Sequence, residues 1–378
     1  MRYYLQFIFI IWVFFFTNCK ENVSQQNPFC FEISDDINQT DEIHNKIITT
    51  LNSFLRSKND SFESNDFWLN SDFEKYKYPF VDIYQIEHIE DKENFYKPFL
   101  KAILPTDNPN KWIVKLAFIN KDENSNEVET RAIYNIIANV IDGKVIFSKY
   151  QDYALKSWKK IQRDSITYFI SPKKEINEAE VLQQQNDIKK LSDFFNSRPF
   201  PLTYISCTSP VELFEVKGFD FTPMMFVSKY GGLVEENSVI LSGNNSEIYT
   251  HEMVHIYTQN LFPNKHYFFD EALATYLAGS GINDYSWHKV KFRKFMLQNP
   301  GFKVENHVDN LYKKLFYEEE TSIPYLIAAV ICERILRDYG KEKYFEILKS
   351  TDDLWTSLAK VGLNKENIND VIRKELKI

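Results

Sequence analysis

Residues 250–257 read Thr-His-Glu-Met-Val-His-Ile-Tyr, and this string decides how the second half of the chain is interpreted. On an α-helix, His251 and His255 lie one turn apart and point to the same side, so both imidazoles can bind one metal ion. Glu252 then flanks the open coordination position of that ion. The string therefore predicts a metal-binding helix, against the alternative of a structural helix with two incidental histidines.

The next helical segment offers carboxylates for a catalytic zinc ion, which needs a third protein ligand and an open site for water. This segment, residues 268–276, reads Phe-Phe-Asp-Glu-Ala-Leu-Ala-Thr-Tyr. The two stretches together resemble the gluzincin clan of MA-like zinc peptidases, in which His-Glu-x-x-His is followed on a second helix by a Trp-x-x-Glu-Gly-x-Ala motif. The resemblance implies that Glu271 is the third zinc ligand. Asp270 is the rival carboxylate, and its other possible roles are partner of a ligand or helix cap.

Two departures from the family motif are conservative in size or character. Ala272 stands where glycine is common, and phenylalanine stands where tryptophan is common. The resemblance covers about residues 160–350, and its specificity is concentrated in the two metal motifs.

The parts of the chain that flank these motifs also resemble the family. Upstream, the resemblance implies a small sheet over the active-site helix, whose edge strand, assigned to 238–241, binds an extended peptide. Downstream, an apolar helix from Ile323 resembles the family's C-terminal helix, whose early tyrosine faces the metal. Tyr325 is therefore a candidate donor to the oxyanion of a tetrahedral intermediate, with ordinary packing as the alternative. His266 either lines the cleft or is simply solvated.

The length of 378 residues predicts two domains after a targeting segment. The first domain, 41–158, begins with an amphipathic helix over 41–56 and continues with alternating stretches that are typical of an antiparallel sheet. The predicted strands are 94–104, 111–119, 127–140 and 144–150. A helix followed by a curved four-stranded sheet resembles the NTF2-like or cystatin-like α+β cone.

The second domain, 159–378, is predicted to be a gluzincin-like unit with a small sheet followed by helices, so the fold class is α+β throughout. The predicted elements before the metal motif are a strand at 165–171, a helix at 178–196, a strand at 201–207, a short helix after Thr208, and strands around 225–227 and 238–241. Helices follow from Asn244, where Asn244 and Asn245 can cap the first. We expect this domain to fold without the first.

The N-terminus has the features of an exported lipoprotein. Arg2 precedes an apolar run at 5–16, which fits a signal peptide and is too short to cross a bilayer of roughly 30 Å comfortably. Residues 16–19, Phe-Thr-Asn-Cys, resemble a relaxed bacterial lipobox, which implies cleavage before Cys19 and lipid attachment to its sulfur. An ordinary cleaved signal and an uncleaved anchor helix are the alternatives. We expect a signal peptide at 1–19, a polar tether at 20–40, and a protein anchored on the periplasmic or cell-surface side of a bacterial envelope.

Composition and charge exclude some classes of partner and of scaffold. The net charge is −8, and acidic and basic residues are interspersed, so no basic patch is available for a nucleic acid backbone. Cys30, Cys207 and Cys332 lie far apart without metal-ligand spacing, so a disulfide scaffold is not indicated.

The function expected from the resemblance is zinc-dependent hydrolysis of a peptide bond in a peptide or protein substrate, with Glu252 as the general base. A first alternative is a catalytically silent peptidase-like module that serves as a binding platform in the cell envelope. A second is a structural surface lipoprotein whose helix imitates the motif. Retention of Glu252 together with all three candidate ligands favours the enzyme.

Overall fold

The fold is α+β, as the sequence predicts. The computed structural model describes residues 29–121, 127–311, 313, 315–318 and 321–378. The predicted signal peptide, with Cys19, lies outside the described residues. In the part of the chain that is described, no helix has the length and apolar character needed to cross a membrane.

The N-terminal half packs its first long helix against a mainly antiparallel sheet. Its elements are β1 Glu32–Ile33, α1 Glu42–Ser57, α2 Asn70–Tyr76, β2 Lys97–Pro105, β3 Lys111–Lys121, β4 Val128–Ile141, β5 Lys144–Lys149 and α3 Gln151–Leu155. Strands β2 to β5 pair with their neighbours in chain order, and all of these pairs are antiparallel. Helix α1 begins where Asp41 accepts two backbone N–H groups, and it buries one apolar face on the sheet. The predicted helix and four strands are therefore present.

The predicted tether at 20–40 is too long, because residues from Phe29 onward pack on this half. Strand β1 pairs in parallel with β2. Phe31 and Ile37 are buried, and the Cys30 N–H donates to Asn52 Oδ1 at 2.9 Å. A two-residue strand and two isolated apolar anchors leave no periodic pattern, so the polar composition of the stretch concealed them.

The second half begins with a small sheet and its flanking helices. These elements are β6 Lys159–Arg163, β7 Ile166–Ile170, α4 Glu178–Phe195, β8 Leu202–Ser206, α5 Pro210–Lys217, β9 Phe219–Phe221, β10 Gly232–Glu235 and β11 Val239–Ser242. The sheet has the order β10-β11-β8-β7-β6, in which β11, β8 and β7 are parallel and both outer strands are antiparallel to their neighbours.

Two predictions about this sheet are wrong. Residues around 225–227 form a 3-10 turn, Pro223–Phe226, because Pro223 opens a turn and Met225 anchors it in the core of the N-terminal half. The predicted edge strand at 238–241 corresponds to β11, which lies inside the sheet, and β10 is the edge. A short apolar run does not reveal its neighbours, since strand order depends on pairing between distant parts of the chain.

The remainder is mostly helical and surrounds the candidate site. Its elements are α6 Thr250–Leu261, α7 Tyr267–Ala278, α8 Tyr285–Gln298, β12 Phe316–Tyr317, β13 Thr321–Ser322, α9 Ile323–Leu348, α10 Leu354–Ala359 and α11 Ile368–Glu375. Helices α4, α6, α7 and α9 share one apolar core. In it, α7 contributes Ala272 and Ala274 and α9 contributes Ala328 and Ala329, all fully buried. Small side chains at these positions let helices approach closely.

Strand pairing and core packing continue across the predicted domain boundary between residues 158 and 159. Strand β9, from the second half, pairs with β4 of the N-terminal sheet, and Phe219 and Met225 belong to that half's core. The side-chain and backbone contacts of Asn135 with the Gly218 carbonyl reinforce this join. The expectation that 159–378 forms a self-contained domain therefore does not agree with the packing, because a three-residue strand carries too little pattern to be assigned to a sheet.

Candidate metal centre

Helix α6 carries the two histidines and begins later than the sequence predicts. Its N-cap position is Tyr249, whose N–H donates to Gln184 Oε1 of α4 at 2.7 Å. Asn244, the predicted cap, instead accepts the Gly231 N–H at 2.6 Å. Between these two positions lies the fully buried Glu247, whose Oε1 is 2.8 Å from Lys174 Nζ. The start of α6 is thus fixed by tertiary contacts rather than by a local cap.

Both histidines present their Nε2 atoms to the same point. His251 Nδ1 lies 2.7 Å from the Gly279 carbonyl oxygen, which can only accept, so this nitrogen carries the proton. His255 Nδ1 lies 2.9 Å from Asp270 Oδ2 and donates to that carboxylate. In the neutral form of each ring the lone pair is therefore on Nε2, and the Nε2 atoms of His251 and His255 face each other at 3.3 Å. Two lone pairs at that distance require a cation or a proton between them.

Glu271 of α7 completes the group. Its Oε2 lies 3.5 Å from His251 Nε2, and its Oε1 lies 3.6 Å from His255 Nε2. Glu271 Oε2 is buried, and no residue that the structure describes hydrogen-bonds to it. An orphaned buried carboxylate oxygen is costly unless a cation compensates it. His251, His255 and Glu271 thus form a buried group that could hold a metal ion.

The surrounding charges favour positive charge at this point. Burial opposes ionisation of Glu271, but the imidazoles of His255 and His251 outweigh it and hold the pKa of its carboxyl well below the usual range. Burial likewise opposes a charged His255, but Asp270 and Glu271 outweigh it and raise the pKa of the imidazole well above its usual value. Asp270 is itself held by Lys265 at 2.8 Å and by the Thr258 hydroxyl at 2.5 Å.

Asp270 and Glu271 therefore divide the two roles that the sequence left open. Although adjacent on α7, Asp270 reaches Nδ1 of His255 and Glu271 reaches Nε2 of the same ring. Asp270 fixes the tautomer and orientation of the imidazole, which is the common role of a carboxylate behind a metal-ligating histidine. Glu271 is the carboxylate that faces the candidate ion.

Gly279 supplies the carbonyl that orients His251, and its backbone admits only glycine. Its φ of +75° lies in the left-handed region, and an added Cβ would come within 2.0 Å of the Asn283 carbonyl oxygen. The turn that ends α7 is consequently tied to the direction in which the His251 ring points.

Glu252 is buried beside the group on the same helix. Burial raises the pKa of its carboxyl, and the imidazoles of His251 and His255 act in the opposite direction. The phenol of Tyr249 also acts to lower that pKa. The Tyr249 ring packs against Gly232 of β10, where an added Cβ would lie 2.5 Å from Tyr249 Cε1. Gly232 thereby lets the edge strand approach the ring next to Glu252.

A cleft of about 450 Å³ joins these residues. It is lined by the three candidate ligands and Glu252, by Gly232, Leu233 and Val234 of the edge strand, and by Tyr325 from the first turn of α9. His266 has a structural role, since its Nδ1 accepts the Phe268 N–H at the start of α7. The structure thus brings His251, Glu252, His255, Glu271 and Tyr325 together around one cleft, whereas His266 caps α7 and is not among the residues that line it.

No family model, no curated protein and no solved structure matches this chain. The geometry of the site is therefore the basis on which its chemistry is inferred.

Several residues of the site were missed by sequence reasoning. These are Gly279, Tyr249, Gly232, Gln259 and Lys265. Glycine after an apolar helix predicts the end of α7, but the partner of its carbonyl is set by the packing of α7 on α6. The sequence carries no signal for Tyr249 or Gly232, because their roles arise only where β10 meets the start of α6.

Replacing Asp270 with Asn tests the division of roles between the two carboxylates. Asp270→Asn keeps the shape of the side chain but removes the charge that holds the His255 Nδ1 proton, while leaving Glu271 in place. Affinity for zinc, measured by competition with a chromogenic chelator, should fall about 10- to 100-fold, and the stoichiometry at saturation should stay at one ion per chain. The matched control is Asp309→Asn, at an exposed position. Wild-type affinity in Asp270→Asn would contradict the assignment.

Proposed function

We propose that this protein is a zinc-dependent peptidase in which His251, His255 and Glu271 hold the ion and Glu252 is the general base. The observation that carries the proposal is the buried group of three side chains, in which the two Nε2 atoms are 3.3 Å apart and each lies 3.5–3.6 Å from an oxygen of Glu271. Two imidazoles and one glutamate, with a fourth position left for water, form a ligand set of catalytic zinc sites.

The spacing of the two imidazole nitrogens fits a tetrahedral ion. Ligand atoms about 2.0–2.2 Å from a zinc ion at tetrahedral angles lie about 3.3–3.5 Å from one another. The two Nε2 atoms are 3.3 Å apart, and separate oxygens of Glu271 lie 3.5 Å from His251 Nε2 and 3.6 Å from His255 Nε2. The two histidines would therefore need little movement to bind the ion, because the Nδ1 atom of each already bonds on the far side of its ring.

Glu252 is placed to move a proton in this cleft. A zinc ion held by the three ligands supplies Lewis acidity, which makes water a stronger nucleophile and polarises a carbonyl. The Glu252 carboxylate accepts the proton of the attacking water and passes it to the nitrogen of the departing amine. The Tyr325 hydroxyl donates a hydrogen bond to the developing oxyanion. Burial of Glu252 keeps competing bulk water away from its carboxylate.

The substrate would bind along β10, the edge strand at the wall of the cleft. One side of β10 pairs with β11, and the residues Gly232, Leu233 and Val234 line the cleft. An extended peptide can add to such an edge through main-chain hydrogen bonds, which supports a peptide or protein as the substrate. Export and lipid attachment at Cys19 stay predictions from the sequence.

Glu252→Gln separates catalysis from metal binding. The amide keeps the size of the side chain but cannot accept the water proton, so zinc should remain at one per chain while peptide hydrolysis falls about 10²- to 10⁴-fold. Metal analysis and cleavage of a peptide library measure the two properties on the same preparation. Glu271→Gln should lose zinc and activity together, and Glu175→Gln, at an exposed position, should change neither.

A different outcome of that experiment would favour the silent platform. If the wild type binds zinc but cleaves no peptide in a broad library, and Glu252→Gln behaves identically in every binding assay, the peptidase proposal fails. If the wild type binds no metal, the structural lipoprotein is favoured instead.

Tyr325→Phe tests the oxyanion donor. Loss of one such donor lowers kcat by about a hundredfold or more while zinc content and the KM change little, because the hydrogen bond forms in the transition state. Tyr339→Phe, on the same helix but bonded to the Val361 carbonyl, is the matched control. An unchanged kcat in Tyr325→Phe would reduce Tyr325 to a packing residue.

A further inference from the structure

Strand β10 needs support beyond its own sheet. It has four residues, and among the described residues it pairs with β11 alone, while its other side borders the cleft. If β10 shifted, the edge available to an extended peptide would shift with it.

The last residue of β10, Glu235, is buried between two lysines. Lys149 Nζ, at the end of β5, lies 2.8 Å from Glu235 Oε2. Lys217 Nζ, at the end of α5, contacts Glu235 Oε1 and also lies 3.1 Å from Asp82 Oδ1. The side chains of Lys149, Lys217 and Glu235 are only 2%, 5% and 11% exposed. A buried carboxylate is tolerated when cations of this kind compensate it, and removing one partner is strongly unfavourable.

These ion pairs join the edge strand to the N-terminal half of the chain. Both Lys149 and Asp82 belong to that half, whereas Glu235 and Lys217 belong to the second. Burial opposes ionisation of Glu235, but the two lysines outweigh it and lower the pKa of its carboxyl to about 2. The two lysines therefore favour the charged carboxylate at this end of the strand.

The turn that follows β10 is held from the same side. Glu236 accepts the Gln259 amide at 2.8 Å and Lys77 at 3.4 Å, and Gln259 lines the cleft. Asn237 Nδ2 donates to the carbonyl oxygens of Glu74 and Lys75, at 3.2 and 2.9 Å. The N-terminal half thus contacts three consecutive residues, 235 to 237, directly after the wall of the cleft.

We propose that Glu235 is a positioning residue, through which the N-terminal half fixes the edge strand β10 for an extended peptide. This inference rests on the proposed peptidase function, and it assigns the N-terminal half a role in substrate binding. Glu235 lies at the far end of β10 and is not among the residues that line the cleft, so it acts through the strand.

The proposal predicts an effect on binding and little effect on chemistry. Glu235→Gln removes the charge that both lysines neutralise, and Lys149→Met removes the cation from the N-terminal half while Lys217 still pairs with Glu235. In each variant the KM for the peptide that the wild type cleaves fastest in a library should rise about tenfold, with kcat and zinc content within about twofold of wild type. The matched control is Glu215→Gln, a half-exposed glutamate on α5.

The double variant Glu235→Gln/Lys149→Met distinguishes positioning from general loss of stability. Both single changes break the same contact, so the rise in KM of the double variant should not exceed that of the larger single variant by more than about twofold. Independent damage would multiply the two effects. If Glu235→Gln fails to fold, Lys149→Met alone carries the test, because its Glu235 keeps one lysine.

Hydrogen exchange of the segment 232–235, followed by mass spectrometry, gives a readout that needs no cleavage. Exchange there should be faster in the folded variants than in wild type, with exchange of 250–261 unchanged. If the variants exchange faster but the wild type cleaves no peptide, the attachment of β10 is supported and the peptidase proposal fails. Wild-type exchange and wild-type KM in Lys149→Met, in an active protein, would overturn the positioning role alone.

Discussion

The Nε2 atoms of His251 and His255 face each other at 3.3 Å inside a buried pocket, and a buried glutamate oxygen lies beside them. When both imidazoles are neutral, each has its proton on Nδ1, bonded to a carbonyl or a carboxylate, so the electron pairs on the two Nε2 atoms repel one another. Such an arrangement is unfavourable in a low-dielectric interior unless a cation balances it. The contacts that hold α6 and α7 in place keep these atoms together.

Several distant parts of the chain form a rigid frame around these atoms. Helix α4 holds the start of α6 through Gln184, and it contacts Tyr257 farther along through the Ser192 hydroxyl. On the other side, the buried alanines of α7 and α9 pack these helices closely, and the turn at Gly279 directs the His251 ring. A functional group held by packed helices can keep its geometry to within a fraction of an ångström, which metal binding requires. The wall of the cleft is held differently, by buried charges that reach into the N-terminal half.

Much of the site could be predicted from sequence because its geometry is local. His255 follows His251 by four positions, and the period of the helix alone places them on one side. The prediction that Glu271 is the third ligand came from a family resemblance. The division of roles between Glu271 and Asp270 depends on how α7 packs against α6. The edge strand and the domain boundary could not be read in the same way. Strand β10 lies outside β11, and β9 joins the other half's sheet, through pairings between distant residues that a short strand does not encode.

Binding of one zinc ion by His251, His255 and Glu271 underlies every chemical step proposed for this protein. X-ray absorption at the zinc edge of the purified full chain measures the ligands of the metal directly. We predict one zinc per chain, with two imidazole nitrogens and oxygen donors about 2.0–2.2 Å from the metal and no sulfur ligand. In Glu271→Ala the two imidazoles should remain in whatever zinc is retained, at lower affinity. A chain that takes up no zinc, or a spectrum with sulfur ligands or a single imidazole, would contradict this assignment of the ligands.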